Sequence, residues 1–111
     1  MKLVKAIVRP NKVDEVIEAL RKAGVAGVTV TEVRGHGKQK GHTAIYRGKE
    51  YNVSLLPKME VELVIDDRNV EEIITTIIAA ARTGEIGDGR VFVIPVERSY
   101  RIRTGEPVVQ V

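Results

Sequence analysis

The sequence contains no cysteine. Disulfides, thiol nucleophiles and thiolate metal sites are therefore excluded, and the chain suits a reducing compartment. Histidine occurs only as His36 and His42, too few for a zinc centre with three histidine ligands. Aromatic residues make up 4% of the chain, with no tryptophan and a single phenylalanine, Phe92. A sheet that stacks RNA bases needs aromatic pairs, and none is spaced for that role here. No apolar run approaches the ~20 residues of a membrane span, and the first residues lack a signal-peptide pattern. A cytoplasmic location is the resulting expectation. An excess of one charge is missing too. Eighteen Lys and Arg stand against 15 Asp and Glu, and the net charge of +3 permits an anionic ligand without indicating nucleic acid.

What is present is an ordinary globular composition. The 111 residues are 43% hydrophobic and 30% charged, enough for one domain over 1–111 with its own core. Strand and helix signals alternate. Leu3 to Val8 is apolar and β-forming, and it stops before Pro10. Asn11 is placed to cap a helix with Val13, Val16, Ile17 and Leu20 at helical spacing, and Gly24 is placed to end it. Val28 to Val33 forms a second β-branched strand, and Met59 to Ile65 a third. Asp66 or Asp67 is placed to cap a second helix, whose buried stripe is Val70, Ile73, Ile74, Ile77, Ile78 and Ala81, with Gly84 at its end. Val91 to Val96 is a fourth strand, and Pro95 marks it as an edge strand or the site of a bulge. The order β-α-β-β-α-β predicts an α+β, ferredoxin-like sandwich: an antiparallel sheet with two helices on one face.

The connection from about Gly35 to Pro57 breaks this regularity. Connections beyond ~12–15 residues are uncommon in compact domains and are usually functional or disordered. This one is polar, basic and punctuated by glycine, and the alternative to a functional loop is a long exposed hairpin without a role.

Four groups of residues have chemical potential. In Gly84-Glu85-Ile86-Gly87-Asp88-Gly89-Arg90, glycines let backbone N–H groups approach a phosphate, and Arg90 adds a guanidinium. Turn punctuation is the plainer reading. The run is neither a Walker A loop nor a Rossmann fingerprint. Arg101 and Arg103, if extended, point to one face and repel unless an anion lies between them; a solvated basic edge is the alternative. Together these two groups favour a phosphate ligand. Gly37, Lys38, Gln39, Lys40 and Gly41 open the long connection with mobile cations and a neutral oxygen suited to Mg²⁺, and Lys58 closes it. The two histidines read as polar loop groups. Tyr46, Arg47 and Tyr51 are residue types that dominate binding hot spots.

The strings TVTEVRGHGKQKGHTAIYRGKEY, ARTGEIGDGRVFVIPVE and YRIRTGE resemble the PII nitrogen-regulatory signal proteins, and the resemblance covers nearly the whole chain in order. It implies a homotrimer of ferredoxin-like subunits with ATP or ADP in the clefts between them, and 2-oxoglutarate beside Mg-ATP. It implies that Thr29 and Val64 line the adenine pocket with Ile7 near by, and that Gly27 and Glu62 lie close to base or ribose. By the same resemblance Gly37, Lys38 and Gln39 touch nucleotide, Gly87, Asp88, Gly89 and Arg90 cradle its phosphates, and Arg101 and Arg103 reach in from the neighbouring subunit. Gln39 would bind Mg²⁺. Gly37, Gln39, Lys40, Gly41 and Lys58 would hold 2-oxoglutarate. The 35–57 connection corresponds to the family's T-loop, with Arg47 at its partner-inserting tip and Tyr51 the tyrosine that some members have uridylylated. The segment from about 98 to 111 follows the last strand.

The implied role is that of a regulator without catalytic residues. Its implied partner is an ammonium transporter, or an enzyme of nitrogen assimilation. Any membrane association would pass through the transporter, and no nucleic acid is implied. A nucleotide-binding energy sensor that ignores 2-oxoglutarate is the alternative. An enzyme is disfavoured because no nucleophile and base pair is visible. Three departures stand out: Lys38 replaces a common arginine, Arg90 a common lysine, and His36 a frequent phenylalanine. The first two keep the charge but exchange fork for point geometry. Position 49 is Lys49, so the serine that some relatives phosphorylate there is absent.

Overall fold

The computed structural model describes residues 1–36, 42–46, 49–53 and 55–111, the strands within 42–53 by their backbone alone. Strands β1 (Lys2–Val8), β2 (Thr29–Gly35), β5 (Leu56–Ile65) and β6 (Arg90–Pro95) form one sheet in the order β2-β5-β1-β6. Every neighbouring pair in it is antiparallel. Helix α1 (Val13–Lys22) joins β1 to β2, and helix α2 (Val70–Ala81) joins β5 to β6. Each crossover skips one strand, which is the split βαβ arrangement of the ferredoxin-like fold.

The register explains the layers. Val4, Ala6 and Val8 alternate on β1 and pair with Leu63, Val61 and Met59 on β5. These side chains share the face on which Val16 and Leu20 of α1 and Ile73, Ile77 and Ala81 of α2 are buried. Fully burying a side chain of this size contributes roughly 1.5–3 kcal/mol, so this layer supplies most of the driving force for folding. The opposite face carries Leu3, Lys5 and Ile7 beside Glu60, Glu62 and Val64. There Lys5 Nζ reaches Glu60 Oε1 at 3.2 Å and Glu62 Oε1 at 3.6 Å, and these carboxylates, Glu60 foremost, raise its pKa.

Several local expectations need correction. Asn11 lies within a 3₁₀ turn, Pro10–Lys12, and α1 starts at Val13 with no side-chain cap. Neither Asp66 nor Asp67 caps α2, because both carboxylates serve other donors. Asp66 accepts the Val111 N–H at 3.0 Å, and Asp67 the Met1 amino group at 2.6 Å. Helix α2 ends at Ala81 with Arg82 extended, so Gly84 falls beyond the helix. Of the expected stripe on α2, Ile78 is exposed. Gly24 does end α1: at φ +91° it donates to Arg21 O, while Val25 donates to Leu20 O, the paired bonds of a Schellman cap. Strand β6 pairs with β1 alone, which gives Pro95 the edge position it requires.

The long connection is shorter than its sequence indicates. Gly35 is paired with Leu56 and Arg34 with Pro57, so both ends of the stretch are strand. Pro57 is tolerated because β1 extends only as far as Met59, leaving β2 as the one partner there. Between them β3 (His42–Tyr46) and β4 (Lys49–Val53) form an antiparallel ladder, from His42 opposite Val53 to Tyr46 opposite Lys49.

Leu20 is wholly buried between the helices and the sheet. Leu20→Ala is expected to lower the unfolding free energy by about 2–5 kcal/mol in a denaturant titration at fixed protein concentration. A loss below about 1 kcal/mol would contradict this placement of the core.

Candidate functional site

The turn between α2 and β6 is built around one carboxylate. Asp88 accepts the Thr83 and Gly84 N–H groups at 2.8 Å each, the Arg9 Nε–H at 3.0 Å and the Thr83 hydroxyl. Arg9 stands just past the end of β1 and also donates to Ile86 O at 2.9 Å, so its guanidinium clips the turn at two points. The Thr83 hydroxyl accepts the Glu85 N–H at 3.1 Å. From β5, Lys58 Nζ donates to Gly87 O at 2.6 Å. Groups far apart in sequence thus hold the main chain of residues 83–88 in one shape.

Glycine is required where the chain turns. Gly84, Gly87 and Gly89 have φ of +90°, +102° and +102°. A side chain at Gly89 would also collide with the carbonyl of Ile7. Arg90 then enters the sheet opposite Ile7. Glycines on both sides of Asp88 give a backbone of the kind that lets successive N–H groups approach an anion.

This turn walls a cleft of about 590 Å³, shared with Ile7, Gly35, His36, Leu56 and Lys58. Its ionisable lining is Lys58 and Arg90 against Glu85 and Asp88, with His36 at the rim of β2. The Thr83 hydroxyl, the Arg9 guanidinium and two N–H groups together hold the Asp88 carboxyl far below the usual carboxylate range. Lys58 is pushed below the ordinary lysine range by burial first and by the Arg9 charge second, against the pull of Asp88. An anion in the cleft would oppose both effects by stabilising the charged ammonium. Arg90, Lys58 and the glycine turn suit a phosphate, so the residues present fit a nucleotide's charged end.

One copy of the chain does not gather all the residues expected to contact nucleotide. Ile7, Lys58, Gly87, Asp88, Gly89 and Arg90 lie at this cleft. Thr29 and Glu62 are direct cross-strand partners further along the same sheet face, and Val64 lies beyond them, opposite Leu3. Gly27 and Val64 line a different cavity of about 200 Å³, which shares no residue with the cleft. Arg101 and Arg103 occupy a third place. They do not lie along an extended strand, because Gly105 N–H bonds to Arg101 O at 2.7 Å and folds the segment into a tight turn. Bonds from Arg101 N–H to Glu106 O and from Val108 N–H to Ser99 O make it a hairpin. Gly37, Lys38, Gln39, Lys40, Gly41 and Arg47 lie outside the described residues, and Tyr51 is described by its backbone only, within β4.

Sequence reasoning missed Arg9 and Thr83. An arginine after a strand and a threonine after a helix have no distinctive spacing, and the Arg9–Asp88 bond spans 79 positions. The carboxylate of Asp88 has a structural part that its place in the glycine run did not announce: its hydrogen bonds hold the turn together.

The sequence model of the family "Nitrogen regulatory protein P-II" matches residues 1–106. Over 106 residues the chain is 60% identical to the nitrogen regulatory protein P-II of Nostoc punctiforme, covering 96% of this chain and 95% of that one. At the same coverage it is 57% identical to the protein so named from Azospirillum brasilense and 55% to that from Pasteurella multocida.

The depressed Asp88 pKa fixes the sign of a pH effect. A carboxylate held below its unfolded value of about 3.9 stabilises the fold fully above that value, and the contribution fades as pH falls toward the folded value. The stability gap between the parent chain and Asp88→Asn is therefore expected to be constant above about pH 5 and to shrink below about pH 4. Denaturant titrations across that range test this, and a gap that widens on acidification would contradict the arrangement.

Proposed function

The chain belongs to the P-II family of nitrogen regulatory proteins, and we propose that it works as a nitrogen-regulatory signal protein that reads ATP against ADP in the cleft beside Gly87–Arg90. We propose further that it reads 2-oxoglutarate beside Mg-ATP and passes the result to an ammonium transporter or a nitrogen-assimilation enzyme through the connection between β2 and β5. Proteins of this family are signalling regulators that act on partners in nitrogen metabolism. The observation that carries the nucleotide reading is the Asp88-centred turn, rigid, glycine-lined and flanked by Arg90 and Lys58.

The division of the expected contacts supports a site completed between copies. Phosphate-type residues lie at one end of the sheet face, while Gly27 and Val64 lie toward the other. The hairpin bearing Arg101 and Arg103 presents a fully exposed Ile102 and a largely exposed Tyr100, apolar groups that favour a neighbouring surface. A homotrimer in which each hairpin brings its arginines to the next copy's cleft joins these parts. No helix among the described residues is long and apolar enough to cross a membrane. A cytoplasmic protein that meets the membrane only through a transporter accords with this.

Coupling between effectors has a physical route. Lys58 is bonded to the Gly87 carbonyl, so a carboxylate that takes a hydrogen bond from Lys58 acts on a residue of the phosphate turn. Gln39 would hold Mg²⁺ through its side-chain oxygen, with Gly37, Lys40 and Gly41 contributing to the acid's site. A partner then selects among conformations of the connection, and effectors shift that balance only as far as their affinities for the states differ. Couplings of this type are ~1–3 kcal/mol per site. Arg47 is the proposed partner-contacting residue, and Tyr51 the proposed site of uridylylation.

Calorimetric titration tests the reading. Binding of ATP and of ADP is expected, with heat from 2-oxoglutarate only when Mg-ATP is present. Nucleotide binding without a 2-oxoglutarate response would favour the alternative, an energy sensor alone. No nucleotide binding would overturn both.

A further inference from the structure

We infer that His36 is a proton-linked contact of the cleft, so that nucleotide binding takes up a proton there and strengthens as pH falls through the physiological range. The inference rests on the nucleotide reading above and concerns a residue to which that reading gives no role.

His36 follows Gly35, the last residue of β2, whose pairing with Leu56 fixes where the chain leaves the sheet. From that position it lines the same cleft as Lys58, Gly87, Asp88, Gly89 and Arg90, and it is exposed to solvent. The charged groups around it come from three elements: Lys58 from β5, Glu85 and Asp88 from the turn, and Arg90 from the first position of β6. Arg9 reaches the turn through Asp88. Asp88 is bound to four donors, which leaves Glu85 as the carboxylate of the lining with no such commitment.

Lys58 and Arg90 are the cations of the described lining in one copy, and a polyphosphate beside them would bring several negative charges into reach of His36. Lysine, arginine, aspartate and glutamate ordinarily titrate well outside pH 6–8, whereas histidine changes charge within it. Among the described lining residues His36 is the only histidine. A polyphosphate beside it favours the imidazolium, because the opposite charge stabilises the charged form. Linkage then requires that binding draw a proton from solution and that affinity depend on pH. The cleft so equipped responds to proton concentration as well as to the ratio of nucleotides.

The test compares the full chain with His36→Gln and His36→Lys by calorimetric titration with ATP in PIPES and in imidazole buffer near pH 6.8. These buffers differ in ionisation enthalpy, so the difference in heat counts protons taken up. The ligand's own phosphate titrates equally in all three and cancels in the comparison. The parent chain is expected to take up more protons than either variant. Its affinity should fall roughly three- to tenfold more than theirs between pH 6 and 8, within the tenfold per pH unit that one site allows. His36→Lys, charged throughout, should bind more tightly at pH 8 than either the parent or His36→Gln. Equal proton uptake in the parent and His36→Gln, with nucleotide bound by both, would overturn the inference and leave the nucleotide reading intact. No ATP binding by any of the three would overturn both.

Discussion

Four donors converge on the carboxylate of Asp88, and the geometry of the candidate site depends on that convergence. Thr83 and Gly84 close the turn from within, and Arg9 ties it to the end of β1. Without such a centre, a stretch holding glycines at 84, 87 and 89 would sample many shapes, since glycine loses more conformational freedom on folding than any other residue. The ionised Asp88 accepts from all four groups at once, and charge-assisted bonds of this kind are among the stronger ones available. The turn is therefore shaped before any ligand arrives, which lowers the ordering cost of binding.

The sheet fixes where that turn stands. β1 supplies Arg9 just beyond its last residue and the Ile7 carbonyl that allows only glycine at 89. β5 supplies Lys58 on the face away from the helices, three residues before the buried Val61. The core thus sits on one side of the sheet and the charged groups on the other. Pleat alternation puts Lys5, Glu60 and Glu62 on this same open face. In the proposed reading the turn on the sheet meets the nucleotide, and the connection between β2 and β5 leaves and rejoins the sheet beside it, because Gly35 and Leu56 both line the cleft.

Much of the fold was legible from periodicity. Val4, Ala6 and Val8 alternate, Val16 and Leu20 lie one helical turn apart, and Gly24 sits where a Schellman cap needs it. The misreadings fell on polar residues with competing partners. Asp66 and Asp67 look like helix caps but bind backbone and amino groups brought near by the tertiary fold. Gly84 looks like a helix end, yet the helix stops earlier and Gly84 belongs to the Asp88 turn. The turn itself was visible as a glycine pattern, whereas Arg9 and Thr83 were not, because hydrogen bonds between residues chosen by the tertiary fold leave no period in a sequence. The extended reading of Arg101 and Arg103 failed for a related reason: Gly105, at φ +72°, lets the chain fold back on itself.

Amide hydrogen exchange of the intact protein, with and without ATP, tests the central claim most directly. A preformed turn predicts slow exchange at Gly84 before ligand is added and new protection concentrated at Gly87–Arg90 afterwards. Fast exchange at Gly84 in the free protein, or protection by ATP that bypasses residues 87–90, would contradict the account.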